Sequence, residues 1–345
     1  MDRAAPVAMA ETAARSKWAT RSEPIAFAVM VAALLIAPAV VYPVFLMKAL
    51  CFALFACAFN LLIGYGGLLS FGHSLFFGWA SYICAYLARN GLTVTEIKLL
   101  GLVIPFHISL PPFPPELAIL FGTGFAAALG YVAGKISIRR QGIYFAMITL
   151  ALSQMMYFFA LQAPFTGGED GIQAVPRGHL FGLLDLSQQM TMYGVVLAIF
   201  VACFLLIYRI INSPFGEVLK AIRENEARAI SLGYKTDRYK LVAFVLSATL
   251  AGVAGATKAI VFQLASLTDV HWSMSGEVVL MTLVGGLGTV FGPVAGAFVI
   301  ISMENYLAQF GQWVTVIQGV IFVTCVLLFR RGIIGELAHA LKIRL

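Results

Sequence analysis

Charge is what this sequence has least of. Of its 345 residues only 11% are Asp, Glu, Lys or Arg, and 61% are hydrophobic, whereas a soluble domain carries about 25% charged residues. A soluble globular chain is thereby excluded. Cysteine is nearly as scarce: Cys51, Cys57, Cys84, Cys203 and Cys325 stand singly inside apolar runs, without disulfide or zinc spacing, and read as small hydrophobes. The histidines (His73, His107, His179, His271 and His339) are scattered, with no metal-ligand spacing. No phosphate-binding loop stands out, for Gly130 to Lys135 lacks one residue and the hydroxyl of Gly-x-x-x-x-Gly-Lys-Ser/Thr. No nucleophile–base pair is evident. Segments of about 10 residues alternating in polarity, which an outer-membrane barrel needs, are missing. No cofactor and no metal are expected on this chain.

What is present is a series of apolar runs of about 20 residues, enough to cross a bilayer. The fold expected is an all-α polytopic membrane protein. Residues 1–24 form a polar, Ala-rich arm with Arg3, Arg15, Lys17 and Arg21; residues 25–330 form the membrane domain; residues 331–345 are a basic tail. A cleaved signal peptide competes for the first apolar run, but a run of that length fits an uncleaved anchor better. The net charge of +7 does not point to nucleic acid, because 18 of the 23 Lys and Arg residues fall in segments that share the side of the basic arm and tail, taken as cytoplasmic. Spans are expected near residues 25–42, 44–63, a glycine-interrupted run ending near 87, then 116–134, 142–163, 191–208, 241–264 and 314–329. Residues 99–110 are too short to span, are broken by Pro105, and are expected to lie at the membrane interface.

Two stretches break the pattern with glycine. Gly64-Tyr-Gly-Gly-Leu-Leu-Ser-Phe-Gly-His73 puts four glycines at membrane depth, where free backbone is costly unless protein or water surrounds it. Residues 275–307 are too long for one span at about 1.5 Å per residue, and are interrupted by Gly285-Gly-Leu-Gly-Thr-Val-Phe-Gly-Pro293. A cytoplasmic tail with Arg330, Arg331, Lys342 and Arg344 requires that stretch to enter and leave on one side, as a re-entrant hairpin or two short helices meeting at the glycines. The total is eight full spans plus that pair. Glycine-interrupted segments in corresponding places of two halves suggest an internal repeat with a substrate path at its interface; glycine also permits close helix packing. Lys258 and Glu304 lie within apolar runs. Lys258 is expected to snorkel outward rather than take a substrate role, and Glu304 marks either the outer end of the pair or a buried partner site.

Residues 212–240 are the exception to the scarcity of charge, with ten charged side chains. Ser213 suits a helix cap and Pro214 the first helical position. Phe215, Leu219, Ile222 and Ile230 recur at helical spacing, Lys220, Arg223, Glu224 and Arg228 make a polar face, and Glu224 and Arg228 are spaced to pair one turn apart. Gly233 sits where a helix stops in a left-handed residue. This is a short two-faced helix on the cytoplasmic side, of the kind that contacts a partner; a solvated loop with incidental helix is the bland alternative.

The run from Phe59 to Gly78, FNLLIGYGGLLSFGHSLFFG, resembles the signature of the high-affinity branched-chain amino acid ABC transporter permeases, and more specifically their M-type subunit. Residues 141–150 (QGIYFAMITL), 166–171 (TGGEDG), the end of the charged loop at 238–244 (RYKLVAF) and 283–293 (LVGGLGTVFGP) are similar in the same order. The stretch 99–115 is longer than that family suggests, and Trp79 stands where a small or aliphatic residue is usual. The resemblance implies an ABC importer transmembrane domain in the bacterial inner membrane, with both termini cytoplasmic. It implies a paralogous permease partner in a heterodimer, two cytoplasmic ABC ATPases holding ATP and Mg, and a periplasmic binding protein. Residues 212–240 then correspond to the ATPase-coupling loop, with Glu217, Leu219, Ile222, Arg223, Glu224, Glu226, Arg228 and Gly233 in that role. The substrate path is expected beside Gly66, Gly67 and Ser70 of the first element and Gly285, Gly286 and Gly288 of the second, with His73 either a wall residue or a packing histidine. Relatives carrying urea, short amides or aromatic carboxylates keep the substrate open. An ion-coupled carrier or integral membrane enzyme is the alternative of a different class; it would want clustered intramembrane acids or His and Glu at one depth.

Overall fold

The computed structural model describes residues 24–99, 102–182, 184–307, 309, 311, 313–328 and 332–341. Most of the basic arm, together with Arg330, Arg331, Lys342 and Arg344, lies outside the described residues. The chain is helical over most of its length. Helix α1 (Pro24–Ala39) is followed by α2 (Pro43–Asn60), which opens on a proline that needs no amide donor. Apart from Lys48 and Asn60, helix α2 is apolar all round, and is accordingly the central element, packed against the later helices that begin at Gln189, Thr236, Trp272 and Gly292. It passes into a π-helical turn (Leu61–Tyr65) before α3 (His73–Asn90).

Strands β1 (Leu92–Leu99) and β2 (Leu102–Leu110) then form an antiparallel hairpin. Of residues 99–110, expected to be too short to span, Leu99 ends the first strand and 102–110 form the second. The stretch is rich in β-branched residues, and Pro105 pairs with Glu96 where the register slips, a position that tolerates a missing amide donor. Helices α4 (Pro115–Ser137) and α5 (Ile143–Gln162) follow. The expected outer segment after α5 is folded through two short ladders. Strand β3 (Ile172–Gln173) pairs with β6 (Leu264–Ala265), and β4 (His179–Leu180) with β5 (Leu184–Asp185). Helices α6 (Gln189–Ile211), α7 (Pro214–Glu224), α8 (Glu226–Ser231) and α9 (Thr236–Phe262) lead to β6. The end of the chain comprises α10 (Trp272–Gly285), α11 (Gly292–Leu307), α12 (Trp313–Leu328) and α13 (Gly332–Leu341).

Five described helices have the length and apolarity to cross a membrane: Pro43–Tyr65, Pro115–Ser137, Ile143–Gln162, Gln189–Ile211 and Thr236–Phe262. The expectation of eight spans adds α1, α3 and α12, which are shorter or more polar. Residues 275–307 resolve into two short helices, α10 and α11, of 14 and 16 residues, meeting at the glycines. The remaining core is a tight crossing of α3, α4 and α9. A Cβ on Gly255 of α9 would stand 1.9 Å from the Phe77 carbonyl of α3, so only glycine allows this approach.

Candidate functional site

The two glycine elements, far apart in sequence, meet each other at the end of the bundle where α7 and α8 lie. At the first, the π turn and the irregular residues 66–72 interrupt the helical ladder. Asn60, at the end of α2, reaches across to the second: its Nδ2 donates to the Thr289 carbonyl (2.9 Å) and its Oδ1 accepts from the Gly288 amide (3.1 Å). Thr289 holds the bend itself. Its hydroxyl donates to the Gly286 carbonyl (2.8 Å) and accepts from the amide of Gly292, where α11 begins (3.1 Å). The backbones are so close that a Cβ on Gly64 would stand 2.9 Å from the Gly288 nitrogen. Helix α13 packs below, with a Cβ on Gly332 falling 2.4 Å from the Gly286 Cα.

Of the expected path residues, Gly66, Gly67, Gly285, Gly286 and Gly288 are brought into this junction, Gly67 being exposed and Gly285 and Gly286 buried. Ser70 is buried beside it, its Oγ accepting from the Gly72 amide (3.3 Å). His73 is fully buried, with the rings of Phe59, Phe76 and Phe244 edge-on to it. The Ser247 hydroxyl donates to the Ala58 carbonyl (2.5 Å) and so accepts from His73 Nε2 (2.8 Å). His73 thus has the surroundings of a packing histidine.

The charged segment expected to couple to a partner starts as its sequence suggests. Ser213 Oγ accepts from the Gly216 amide (3.3 Å), Pro214 is the first helical residue, and Leu219 and Ile222 are buried. Leu219 lies against Gly66, its nearest atom 3.7 Å from where a Cβ would be. The end also matches: Gly233 has φ +89°, its amide donates to the Ile230 carbonyl (2.9 Å), and the Tyr234 amide donates to that of Ala229 (3.2 Å).

Between these ends the expectation of one continuous helix is corrected. Asn225 is extended (φ −155°, ψ 96°), and its Oδ1 accepts from the Arg228 amide (3.0 Å), ending α7 and capping α8. An asparagine side chain that competes with the backbone for its own downstream amide is the local reason. The break undoes the Glu224–Arg228 spacing, and no ion pair joins those two among the described residues. The pairs formed instead are Lys220–Glu217 (2.8 Å) and Lys240–Glu226 (2.5 Å). Ile230 is not on the buried stripe; it is 55% exposed, next to Leu232 at 68% and Tyr234 at 42%. Arg223 stays exposed, as a polar-face residue should, but also reaches back to the first break. Its Nη1 donates to the Gly64 carbonyl in the π turn.

Sequence reasoning passed over Asn60 and Thr289, although a polar residue four positions before the first glycine break and one within the second are visible signals. It also misassigned Lys258. That ammonium does not snorkel but pairs with Asp269 (2.5 Å), whose side chain is 1% exposed. Glu304 resolves as a partner site, with Lys48 of α2 at 3.0 Å. Both carboxylate partners lie where an unpaired charge would be costly.

The profile of a family described as branched-chain amino acid transport system, permease component, matches residues 41–327. The chain is 26% identical over 310 residues to the high-affinity branched-chain amino acid transport system permease protein LivM of Salmonella typhimurium, covering 83% of this chain and 68% of that protein. It is 28% identical over 270 residues to the probable branched-chain amino acid transport permease protein LivH of Methanocaldococcus jannaschii, covering 71% and 78%. The fructose import permease protein FrcC of Rhizobium meliloti is 24% identical over 265 residues, with 72% of each chain covered. No solved structure matches.

Proposed function

The chain belongs to the branched-chain amino acid transport system permease family, and from that premise we propose that it imports branched-chain, hydrophobic amino acids across the bacterial inner membrane. As the multi-pass membrane component of an ABC transport system, it is a permease and not an enzyme. In this reading it pairs with a paralogous permease, receives substrate from a periplasmic binding protein, and is driven by two cytoplasmic ATPases that hold ATP and Mg. Both termini and the α7–α8 segment face the cytoplasm.

The observation that carries the reading is the junction of the two broken helices directly beneath α7 and α8. An amino acid zwitterion needs polar partners within the membrane, and broken helices supply backbone amides for a carboxylate and carbonyls for an ammonium. The path in this proposal runs beside Gly66, Gly67, Ser70, Gly285, Gly286 and Gly288. Above it, Glu217, Glu224 and Arg228 are exposed together with Ile230, Leu232 and Tyr234. A cluster of apolar side chains at the edge of a charged helix pair suits burial under a partner protein, here an ATPase.

The test is reconstitution with the cognate ATPases, partner permease and binding protein in proteoliposomes. ATP-dependent uptake of leucine, isoleucine and valine is expected. Gly67→Leu and Gly286→Leu should each abolish uptake while leaving assembly and basal ATP hydrolysis intact, since both sites have positive φ (+67° and +124°) inside the junction. The similarity to a fructose import permease favours one second reading, a neutral sugar as cargo. Uptake of fructose with no uptake of amino acids would select it, and uptake driven by an ion gradient without ATPases would overturn both.

A further inference from the structure

Three side chains of α7 touch the first broken element, in different ways. Leu219 makes an apolar contact at Gly66, and Lys220 lies over the Tyr65 ring, 5.8 Å from its centroid. Such contacts slide readily. Arg223 instead makes a directional bond to the Gly64 carbonyl, and it reaches both elements at once. A Cβ on Gly67 would stand 3.0 Å from Arg223 Cγ, and a Cβ on Gly288 would stand 3.3 Å from its Nη1. The stem of this exposed side chain thus lies against Gly67 and its guanidinium against Gly288 and the Gly64 carbonyl. The guanidinium has no ion-pair partner among the described residues. Its charge is spent on a backbone oxygen of a broken helix, where a charged donor makes a stronger bond than a neutral one.

We propose that Arg223 is the clasp through which α7 holds the two broken helices closed: its guanidinium binds the Gly64 carbonyl beside Gly288 while its stem lies against Gly67. Arg223 is a positioning residue, tying the outward helix pair to the junction. Displacement of α7 withdraws the side chain and loosens the junction, which the Asn60 bonds then hold without it. This rests on the transport reading only for what moves α7; the closed state itself is a property of the chain.

The test uses the whole complex in inside-out vesicles, without ATP or substrate. A cysteine is introduced by Ser70→Cys, at a buried site beside the junction, and its labelling by an impermeant maleimide is timed. Arg223→Ala should speed labelling by about tenfold or more, the scale set by losing a charge-assisted hydrogen bond. Arg223→Lys, which keeps the charge and part of the reach, should restore much of the protection. A control cysteine from Ser81→Cys, buried within α3 away from the junction, should stay unlabelled throughout, which separates release of the clasp from general loosening. Should Arg223→Ala not assemble, Arg223→Gln removes the charge and shortens the reach at little change in shape, and must also speed labelling. Unchanged labelling of Ser70→Cys in an assembled Arg223 variant overturns the clasp, as does equal acceleration at Ser81→Cys. Because no substrate enters the measurement, wild-type failure to carry amino acids would sink the transport reading while leaving this result standing.

Discussion

Asn60 offers the sharpest quantitative test of the junction. Replacing it with leucine, of similar branched shape, removes two hydrogen bonds at once, to the Thr289 carbonyl and from the Gly288 amide, at a residue that is 3% exposed. If water reaches the two freed backbone groups, the loss is the net value of two ordinary bonds, about 1–3 kcal/mol together. If they stay dry, each leaves an unsatisfied group and the sum rises to about 2–6 kcal/mol. The lower range applies, since the junction borders exposed Gly67 and Leu287. An opening free energy lowered by about 1–3 kcal/mol multiplies the open population by roughly 5- to 150-fold. Hydrogen–deuterium exchange of the peptide covering residues 286–292 should therefore accelerate by that factor in the Asn60→Leu protein. The middle of α9 should exchange as before. An exchange rate at 286–292 within twofold of wild type, in a protein that folds and assembles, would show that Asn60 does not hold the second element.

Two further outcomes follow from the structure. Lys258→Met should destabilise the protein by about 3–5 kcal/mol because it strands the buried Asp269 carboxylate, and adding Asp269→Leu should recover most of the loss in thermal unfolding; costs that simply add would show that the two are not coupled. For orientation, cysteines from Glu169→Cys and Asp170→Cys, both exposed, should react with an impermeant thiol reagent from the periplasm, whereas Lys235→Cys should react only from the cytoplasm; the reverse pattern would invert the topology.

The features legible in the sequence are those decided within a few residues. A run of apolar residues has no stable state in water, so the membrane class was determined by composition. Ser213 before Pro214, and Gly233 after Leu232, mark helix ends because capping is local chemistry. The two glycine breaks were visible because neither stretch can run as an uninterrupted apolar helix. Asn225 was legible too, but its cap was overlooked in favour of the apolar spacing on either side. The β1–β2 hairpin carried its β-branched residues in plain view, and Pro105 drew attention away from them.

What the tertiary structure alone decided is which polar groups answer one another. A sequence states that Lys258, Glu304 and Asn60 require partners in an apolar surrounding, and that Arg223 sits on a charged face where it could find one; it does not state which. The partners are Asp269, Lys48, the Gly288–Thr289 backbone and the Gly64 carbonyl, and three of the four lie more than 150 residues away in the chain. Side-chain chemistry fixes the need for a hydrogen bond or a counter-charge, because unpaired burial is costly. Chain topology fixes the donor and acceptor, because only packing α2 between α10, α11 and the α7 end brings two distant breaks within reach of one arginine.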